Sequence, residues 1–476
     1  MAATVGERKL LVAGEWVETG EWRTVASPFS GEEVGRVPSA GAELTRKAVD
    51  AAAAAMREPL PAYRRAEILE RTAILLAERE DEAAHTISAE AGKPMKAARV
   101  EAQRAVSTYE TAAAVARRQI GEMIPMDASP AGVGKVAFTL RMPIGVVGAI
   151  SPFNFPLNLV AHKIAPALAA GCAVVLKPAG QTPLSALLLA ELELEAGLPP
   201  GWLNVLVGPA SEIGDVLVSD ERVRLITFTG SSGVGWELRE RAARKKVTLE
   251  LGNATPVLVE ADADIEEVAT KLSQTAFAFA GQSCISVQRI YVRRPVYDDF
   301  VARFVPKVEA LRIGDPANDD TDVGPVIDAD AKERIAAWIA EAVEQGATLL
   351  TGGEEEGLLR PTVLADVTPE MKVSCEEVFG PVCTVSRYDT LEEGLRLANA
   401  TDFGLQAGIF TARLDTALAA ARGLEFGGVT VNEAPTFRAD QMPYGGIKGS
   451  GNTKEGPAHT AREMTEERLV VLADTA

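Results

Sequence analysis

Apolar positions recur at helical spacing through three stretches near the start of the chain. These stretches cover residues 43–55, 62–91 and 96–118. Apolar residues three and four positions apart lie on one face of a helix, so the pattern predicts three amphipathic helices whose charged residues form a solvated face. The preceding segment, residues 10–37, shows short apolar runs between Gly- and Pro-containing turns and predicts an arm of short strands.

The pattern changes between residues 143 and 251, where runs rich in Val and Ile alternate with helical segments. Apolar runs without polar alternation are typical of strands buried on both faces. The segment therefore predicts a doubly wound parallel sheet, whose ligands bind at the carboxyl ends of its strands. The predicted strands are 144–150, 173–176, 203–207, 225–228 and 247–251, and the predicted helices are 158–169, 184–195, 211–218 and 234–244.

A second series of strands and helices begins at Pro256 and predicts another α/β domain. A last strand is predicted at residues 468–472, to pair with another chain or with the alternating segment 124–141. In the second series the strands are 257–259, 289–292, 347–350 and 382–388, and the helices are 265–280, 296–311, 330–345, 391–400 and 414–422.

Length and composition narrow the class of protein. A chain of 476 residues favours two or three domains. Its 48 basic and 67 acidic residues give a net charge of −19, which argues against binding to nucleic acid or to an anionic membrane. No apolar run reaches the ~18 residues that a membrane helix needs, and no leader is recognisable, so we predict a cytoplasmic protein. Its four cysteines and three histidines show no zinc-binding spacing, so no metal site is predicted.

One cysteine stands in a turn of small residues, Ala280-Gly281-Gln282-Ser283-Cys284-Ile285. A cysteine is nucleophilic as its thiolate, and small neighbours that expose it and offer backbone N–H groups suit that reactivity. A lone cysteine is more often a buried structural residue. Cys284 is therefore a candidate nucleophile that depends on suitable companions.

Such companions follow the predicted strands of the first sheet. Asn154 lies between two prolines after the first strand and is a candidate oxyanion donor. Lys177 follows the second strand and could meet a ribose hydroxyl or a phosphate. The turn at residues 229–235 opens a helix and could bind phosphate through its N–H groups, although it could equally be structural. Glu250 lies in an apolar strand end, where burial would raise its pKa and suit it to act as a general base.

Taken together, these motifs resemble the aldehyde dehydrogenase superfamily over essentially the whole chain. The motifs, in the order and spacing of that family, are Pro152-Phe153-Asn154-Phe155-Pro156, Phe228-Thr229-Gly230-Ser231, Leu249-Glu250-Leu251-Gly252, Gly281-Gln282-Ser283-Cys284, Glu377-Val378-Phe379-Gly380-Pro381 and Pro443-Tyr444-Gly445-Gly446. The sequence looks most similar to the group of lactaldehyde and non-phosphorylating glyceraldehyde-3-phosphate dehydrogenases.

The resemblance implies a role for each motif. Cys284 would be the nucleophile, Glu250 the general base, and Asn154 an oxyanion donor. The cofactor would be NAD or NADP, and Gly180 stands where NAD-preferring members often have a glutamate that would repel a 2′-phosphate. The implied cofactor contacts are Ile150, Ser151, Pro152, Phe153, Lys177, Gly180, Thr229, Gly230, Ser231, Val234, Leu251, Gly252, Glu377 and Phe379.

The family fold implies α/β architecture with two doubly wound Rossmann-like domains and a small β flap for oligomerisation. The cofactor domain would comprise residues 1–120 and 142–252, and the catalytic domain residues 253–430. The flap would comprise residues 121–141 and 458–476, and would join chains into a homodimer or homotetramer.

The resemblance implies oxidation of a small aldehyde to its acid through a thiohemiacetal and a thioester on Cys284. Arg104, Arg289 and Arg438 could bind an anionic group of the substrate, although each could equally form a structural ion pair. Phe155 is a further candidate substrate contact. The aldehyde could be phosphorylated, phosphonylated or hydroxylated; the alternatives are a succinate-semialdehyde-type dehydrogenase and a non-catalytic binding member of the fold.

Overall fold

Two seven-stranded sheets flanked by helices carry most of the chain. The structure is a computed structural model that describes residues 5–242 and 244–473. The α-helices in chain order are α1 (Ala42–Ala55), α2 (Ala62–Glu78), α3 (Glu80–Ala91), α4 (Met95–Arg118), α5 (Asn158–Ala170), α6 (Leu184–Glu195), α7 (Ala210–Ser219), α8 (Ser232–Arg241), α9 (Ile265–Thr275), α10 (Arg294–Glu309), α11 (Ala329–Glu344), α12 (Lys372–Cys375), α13 (Leu391–Asn399), α14 (Leu414–Gly423) and α15 (Pro457–Glu463). The strands are β1 (Gly6–Glu7), β2 (Leu10–Val12), β3 (Glu15–Val17), β4 (Trp22–Ala26), β5 (Glu33–Pro38), β6 (Met123–Ile124), β7 (Lys135–Pro143), β8 (Val146–Ile150), β9 (Val174–Lys177), β10 (Leu203–Val205), β11 (Val223–Thr229), β12 (Lys246–Glu250), β13 (Thr255–Val259), β14 (Val287–Arg293), β15 (Thr348–Thr351), β16 (Glu354–Glu355), β17 (Leu358–Leu359), β18 (Thr362–Ala365), β19 (Val382–Tyr388), β20 (Gln406–Phe410), β21 (Gly428–Val431) and β22 (Thr465–Ala473).

The first large sheet has the strand order β12-β11-β8-β9-β10-β2-β3. The five strands from β12 to β10 are parallel, and β2 and β3 continue the sheet in antiparallel fashion. Every residue of β9 is buried, as the unbroken apolar run predicted. The doubly wound parallel sheet is therefore confirmed, and two strands of the N-terminal arm extend it.

The second large sheet has the order β15-β18-β19-β14-β13-β20-β21 and is parallel except for β15. The two parallel sheets with their helices confirm the predicted α/β class. Three strands of this sheet, β18, β20 and β21, were not predicted from the sequence. The exact boundaries of the domains stay a prediction.

The remaining strands form smaller sheets. The predicted C-terminal strand is β22, which pairs with β7 in antiparallel register from Thr465 opposite Pro143 to Ala473 opposite Lys135. The sequence left open whether this strand pairs with another chain or with the segment 124–141, and in the structure it pairs with that segment. A separate three-stranded sheet, in the order β1-β5-β4, brings the N-terminal arm beside the first large sheet.

Two predicted helices are shorter than the apolar pattern suggested. The segment 62–91 divides at Arg79, whose φ of −111° and ψ of 26° lie outside the helical range. The segment 265–280 stays α-helical only to Thr275. No helix in the described ranges is long and apolar enough to cross a membrane.

Candidate active site

Three strands of the first sheet end beside one another and carry candidate side chains. Thr229 ends β11 and is paired with Glu250, the last residue of β12. On the other side of β11, Phe228 is paired with Ile150, the last residue of β8, and Asn154 follows four residues later. Because the carboxyl ends of parallel strands share one edge of the sheet, these side chains lie at one edge, as predicted.

The cysteine turn is held by an unusual backbone conformation. Phe279, Ala280 and Gly281 all have positive φ angles, of 50°, 51° and 69°. A Cβ atom on Gly281 would stand only 2.0 Å from the carbonyl oxygen of Gly380, so only glycine fits this close approach. The chain therefore leaves the helical direction of α9 and places Cys284 in a turn packed against the second sheet.

The thiol of Cys284 contacts a tyrosine hydroxyl. The Sγ atom lies 2.9 Å from the Tyr444 hydroxyl oxygen, and Tyr444 is buried. Burial raises the pKa of the Cys284 thiol to about 12, whereas the hydrogen bond with Tyr444 acts in the opposite direction. Attack on a carbonyl by this thiol therefore requires removal of its proton and a donor that stabilises the thiolate.

Asn154 connects the end of β8 with the cysteine turn. Its Nδ2 donates a hydrogen bond to the backbone carbonyl oxygen of Gln282 at 3.0 Å, and the backbone carbonyl oxygen of Asn154 accepts one from Lys93 Nζ at 2.7 Å. An asparagine amide has two hydrogens, so one remains for a further acceptor beside Cys284. This geometry is suited to an oxyanion donor.

Glu250 is buried, with only 5% of its surface exposed. Neither of its carboxylate oxygens has a hydrogen-bond partner among the described residues. Its pKa lies well above the usual value because of burial and, secondly, the nearby charge of Glu455. A carboxylate whose pKa is raised binds a proton more readily than an ordinary carboxylate, which suits a general base.

A network of buried polar side chains lies near Glu250, and it was not predicted from the sequence. Lys163 Nζ donates to the hydroxyl of Thr229 at 2.7 Å, and its charge opposes the rise in the pKa of Glu250. Burial alone would raise the pKa of Glu455, but the nearby charge of Arg438 lowers it to about 2. A lysine within the otherwise apolar helix α5 is a signal that could have identified this network.

The predicted cofactor contacts divide between two regions. Lys177 and Gly180 line a cavity of about 900 Å³, together with Arg23 and Gln181. Near the cysteine turn, the Glu377 carboxylate accepts a hydrogen bond from the backbone N–H of Asn253 at 2.9 Å.

Aromatic and glycine residues complete the second region. The Phe379 ring meets the Phe153 ring edge-on at 5.7 Å. A Cβ atom on Gly252 would lie 2.2 Å from a Glu377 oxygen, so the glycine makes room for this carboxylate. The other predicted contacts lie at the ends of β8, β11 and β12 and at the start of α8: Ile150, Ser151, Pro152, Thr229, Gly230, Ser231, Val234 and Leu251. Glycine turns, a helix start, a cation and a buried carboxylate fit an extended dinucleotide.

A second cavity, of about 580 Å³, reaches the residue before the nucleophile. It is lined by Ser283, Phe155 and Arg104, and by the lysines Lys93 and Lys96. Arg104 donates a hydrogen bond to Asp440 at 2.8 Å, yet its side chain remains 23% exposed. The structure therefore places two of the four candidate substrate contacts, Arg104 and Phe155, at one cavity.

The other two arginines singled out in the sequence are buried. Arg438 is bonded to Glu455 and lies over the Tyr444 ring, 4.0 Å from its centroid. Arg289 donates to the backbone carbonyls of Ala254 and Ala398, at 2.9 Å in each case. Arg289 thus stabilises the second sheet, and Arg438 supports the tyrosine that contacts Cys284.

Comparison with known proteins identifies similar chains. The model of the aldehyde dehydrogenase family matches residues 16–470. A 3-sulfolactaldehyde dehydrogenase from Priestia aryabhattai is 46% identical over 464 residues, covering 97% of each chain. A lactaldehyde dehydrogenase from Methanocaldococcus jannaschii is 37% identical and covers 98% of this chain and 100% of its own. The crystal structure of an NADP-dependent glyceraldehyde-3-phosphate dehydrogenase from Bacillus halodurans, complexed with NADP, has a TM-score of 0.95 and 40% identity, covering 98% of this chain and 99% of its own.

Proposed function

Because this chain belongs to the aldehyde dehydrogenase family, we propose that Cys284, Glu250 and Asn154 carry out its NAD(P)-dependent oxidation of an aldehyde to a carboxylic acid. The observation that carries this assignment is the hydrogen bond between Asn154 and Gln282 in the cysteine turn. It holds an amide donor beside the turn that carries Cys284.

The first step is addition of the Cys284 thiolate to the aldehyde carbon. The carbonyl oxygen then carries a negative charge and accepts hydrogen bonds from Asn154 Nδ2 and from the backbone N–H of Cys284. Removing one such donor typically lowers the rate by ~10²–10³-fold. Tyr444 stabilises the thiolate before attack, because its hydroxyl lies 2.9 Å from the sulfur.

Release of the acid requires water and a base. A nicotinamide cofactor held at the strand ends and glycine turns described above would supply the acceptor for the hydride of the substrate carbon. Loss of that hydride would leave an acyl group joined to Cys284 as a thioester. Glu250 removes a proton from the water that attacks this thioester, and its raised pKa suits that transfer. The charges of Lys163 and Glu455 lie near Glu250 and shift its pKa in opposite directions: Glu455 raises it and Lys163 lowers it.

The substrate is a small aldehyde with an anionic group, and a 2-hydroxyaldehyde carrying a sulfonate is the form that we favour. Arg104 supports this assignment because it lines the cavity next to Ser283 while retaining exposed surface. A guanidinium forms paired hydrogen bonds with the oxygens of sulfonate or phosphate groups. The similarity to a 3-sulfolactaldehyde dehydrogenase agrees with this chemistry.

Cofactor reduction with a panel of aldehydes tests the substrate class. The panel contains sulfolactaldehyde, glyceraldehyde 3-phosphate, succinic semialdehyde and neutral lactaldehyde. We expect Arg104→Gln to lower kcat/KM for the preferred anionic aldehyde by about 10- to 100-fold, the value of a charge-assisted hydrogen bond, and to leave lactaldehyde unchanged.

The control is Arg118→Gln, which removes an exposed arginine near the end of α4. Equal losses for neutral and anionic aldehydes would contradict an anion site at Arg104. A preference for succinic semialdehyde would favour the semialdehyde-dehydrogenase alternative instead.

We further propose that a second copy of this chain is a partner. Strand β22 lies at the edge of its sheet, and Leu469, Leu472, Val136 and Leu140 on β22 and β7 are all exposed. An apolar sheet edge of this kind favours pairing with another chain. The cytoplasmic location stays a prediction.

A further inference from the structure

Arg23 is a cation beside the predicted cofactor pocket. It lies on β4, in register with Val37 of β5, and its side chain is exposed toward the cavity that Lys177 and Gly180 also line. One terminal guanidinium nitrogen stands 3.8 Å from the position that a Cβ atom on Gly180 would take. No ion pair or hydrogen bond involves this side chain within residues 5–242 and 244–473.

Lys177 is a second cation in the same place. Only 8% of its surface is exposed, and its amino group has a single long hydrogen bond, of 3.4 Å, to the carbonyl of Pro178. Its pKa is lowered by burial and by the charge of Arg23. Two neighbouring cations of which one is buried make a site that favours a bound anion.

Among the described residues, no carboxylate that lines this cavity forms an ion pair with Arg23 or Lys177. Asp328 accepts hydrogen bonds from Gln181 and from the N-terminus of α11, and Glu90 accepts them from the N-terminus of α6. Glu356, the third, is exposed on a turn. The positive charge of Arg23 and Lys177 is therefore left for a ligand.

We propose that Arg23, together with Lys177, binds the 2′-phosphate of NADP and makes this enzyme prefer NADP to NAD. The inference rests on the cofactor site proposed above. Gly180 has no side chain, so it leaves open the space beside the Arg23 guanidinium that a Cβ atom would enter. A guanidinium binds phosphate through two parallel hydrogen bonds, whereas a ribose hydroxyl offers neither the charge nor the matching oxygens.

The backbone of Arg23 is fixed in its strand before the ligand binds. Val25 of β4 and Val34 of β5 are buried in the core, and Leu184 of α6 packs against Gly35. The sheet β1-β5-β4 is thereby anchored to the first large sheet, and Arg23 is held at the mouth of the cavity. Only its side chain, which has no partner among the described residues, has to be ordered when a ligand binds.

Binding measured without an aldehyde tests the inference independently of catalysis. Isothermal titration calorimetry of the full chain with NADP⁺ and with NAD⁺ compares the wild type, Arg23→Gln and the control Arg118→Gln. We expect Arg23→Gln to weaken NADP⁺ binding by about 10- to 100-fold, the value of a charge-assisted hydrogen bond, and to leave NAD⁺ binding unchanged. Arg118→Gln should alter neither affinity.

The outcomes separate this inference from the cofactor site on which it rests. Unchanged NADP⁺ binding in Arg23→Gln would overturn the role of Arg23 and leave the site itself standing. Tighter binding of NAD⁺ than of NADP⁺ by the wild type would overturn the preference. Failure of the wild type to bind either dinucleotide would overturn the cofactor site as well.

Discussion

At the scale of single residues, the Cys284 thiol is difficult to ionise in this site. Burial raises its pKa to about 12, and only the hydrogen bond with Tyr444 and the positive charge of Arg438 favour the thiolate. Arg438 lies over the Tyr444 ring and is bonded to Glu455. The arginine therefore supports the donor that contacts the nucleophile, and Arg104 is the arginine left for the substrate.

Removal of the Tyr444 hydroxyl should make Cys284 less reactive. We expect Tyr444→Phe to slow alkylation of Cys284 by iodoacetamide at pH 8 by about 10- to 100-fold, because a hydrogen bond to a charged group is lost and the thiolate fraction falls. Mass spectrometry of the Cys284 peptide measures the rate. Tyr63→Phe, at an exposed position of α2, is the control, and an unchanged rate in Tyr444→Phe would show that the hydroxyl does not stabilise the thiolate.

At the scale of elements, a helix or strand was predicted accurately where residues within the segment determine it. The prediction was less accurate where a contact with a distant part of the sequence contributes. Helix 184–195 and strand 382–388 were predicted with the bounds that the structure has, because the arrangement of apolar residues within each segment indicates it. The turn that follows α9 packs at Gly281 against Gly380, about a hundred residues away, and periodicity cannot show such a contact.

The same distinction applies to the candidate site. Cys284, Glu250 and Asn154 follow recognisable strands and turns, so the sequence indicates them. Arg23 and Tyr444 reach the site from opposite ends of the chain, and only the fold brings them there.

Helix packing contributes a pH dependence of stability. Glu193 of α6 accepts a hydrogen bond from the buried Tyr109 hydroxyl of α4 at 2.6 Å, and its other oxygen has no partner among the described residues. Burial raises its pKa from 4.5 to about 7. The folded state thus holds the proton more tightly than the unfolded state. The resulting stabilisation is present below about pH 4.5 and is lost as the pH rises to about 7.

Replacement of Glu193 by Gln should remove this dependence. We expect the variant to be more stable than the wild type at pH 8, by up to about 3 kcal/mol, with a smaller difference at pH 5.5. Thermal melts at the two pH values measure it. Glu195→Gln, at an exposed position of the same helix, is the control. Equal pH dependence in Glu193→Gln and the wild type would contradict the assignment.

At the scale of the whole molecule, the flap of β6, β7 and β22 brings together two segments that are far apart in the sequence. It pairs the C-terminal strand β22 with β7, the strand directly before β8 of the first large sheet, and it leaves an apolar edge in solvent. A charged residue at this edge would be costly to bury in an interface between chains.

The variant Leu469→Asp should therefore dissociate the proposed oligomer. Leu469 is 57% exposed on the edge strand β22. We expect light scattering after size exclusion to give the mass of a dimer or tetramer for the wild type and a smaller mass for the variant. Leu414→Asp, at an exposed leucine of α14, should keep the wild-type mass. A monomeric wild type would rule out this interface.

The central claim is that catalysis passes through an acyl group on Cys284 that Glu250 releases. Rapid mixing of Glu250→Gln with saturating cofactor and aldehyde, followed by intact-mass analysis, tests it most directly. We predict a burst of about one reduced cofactor per chain, a steady state slower than the wild type by ~10²–10⁴-fold, and an acyl mass on Cys284 that is absent from Cys284→Ala. Wild-type turnover by Glu250→Gln, or a burst without an acyl group on Cys284, would contradict the account.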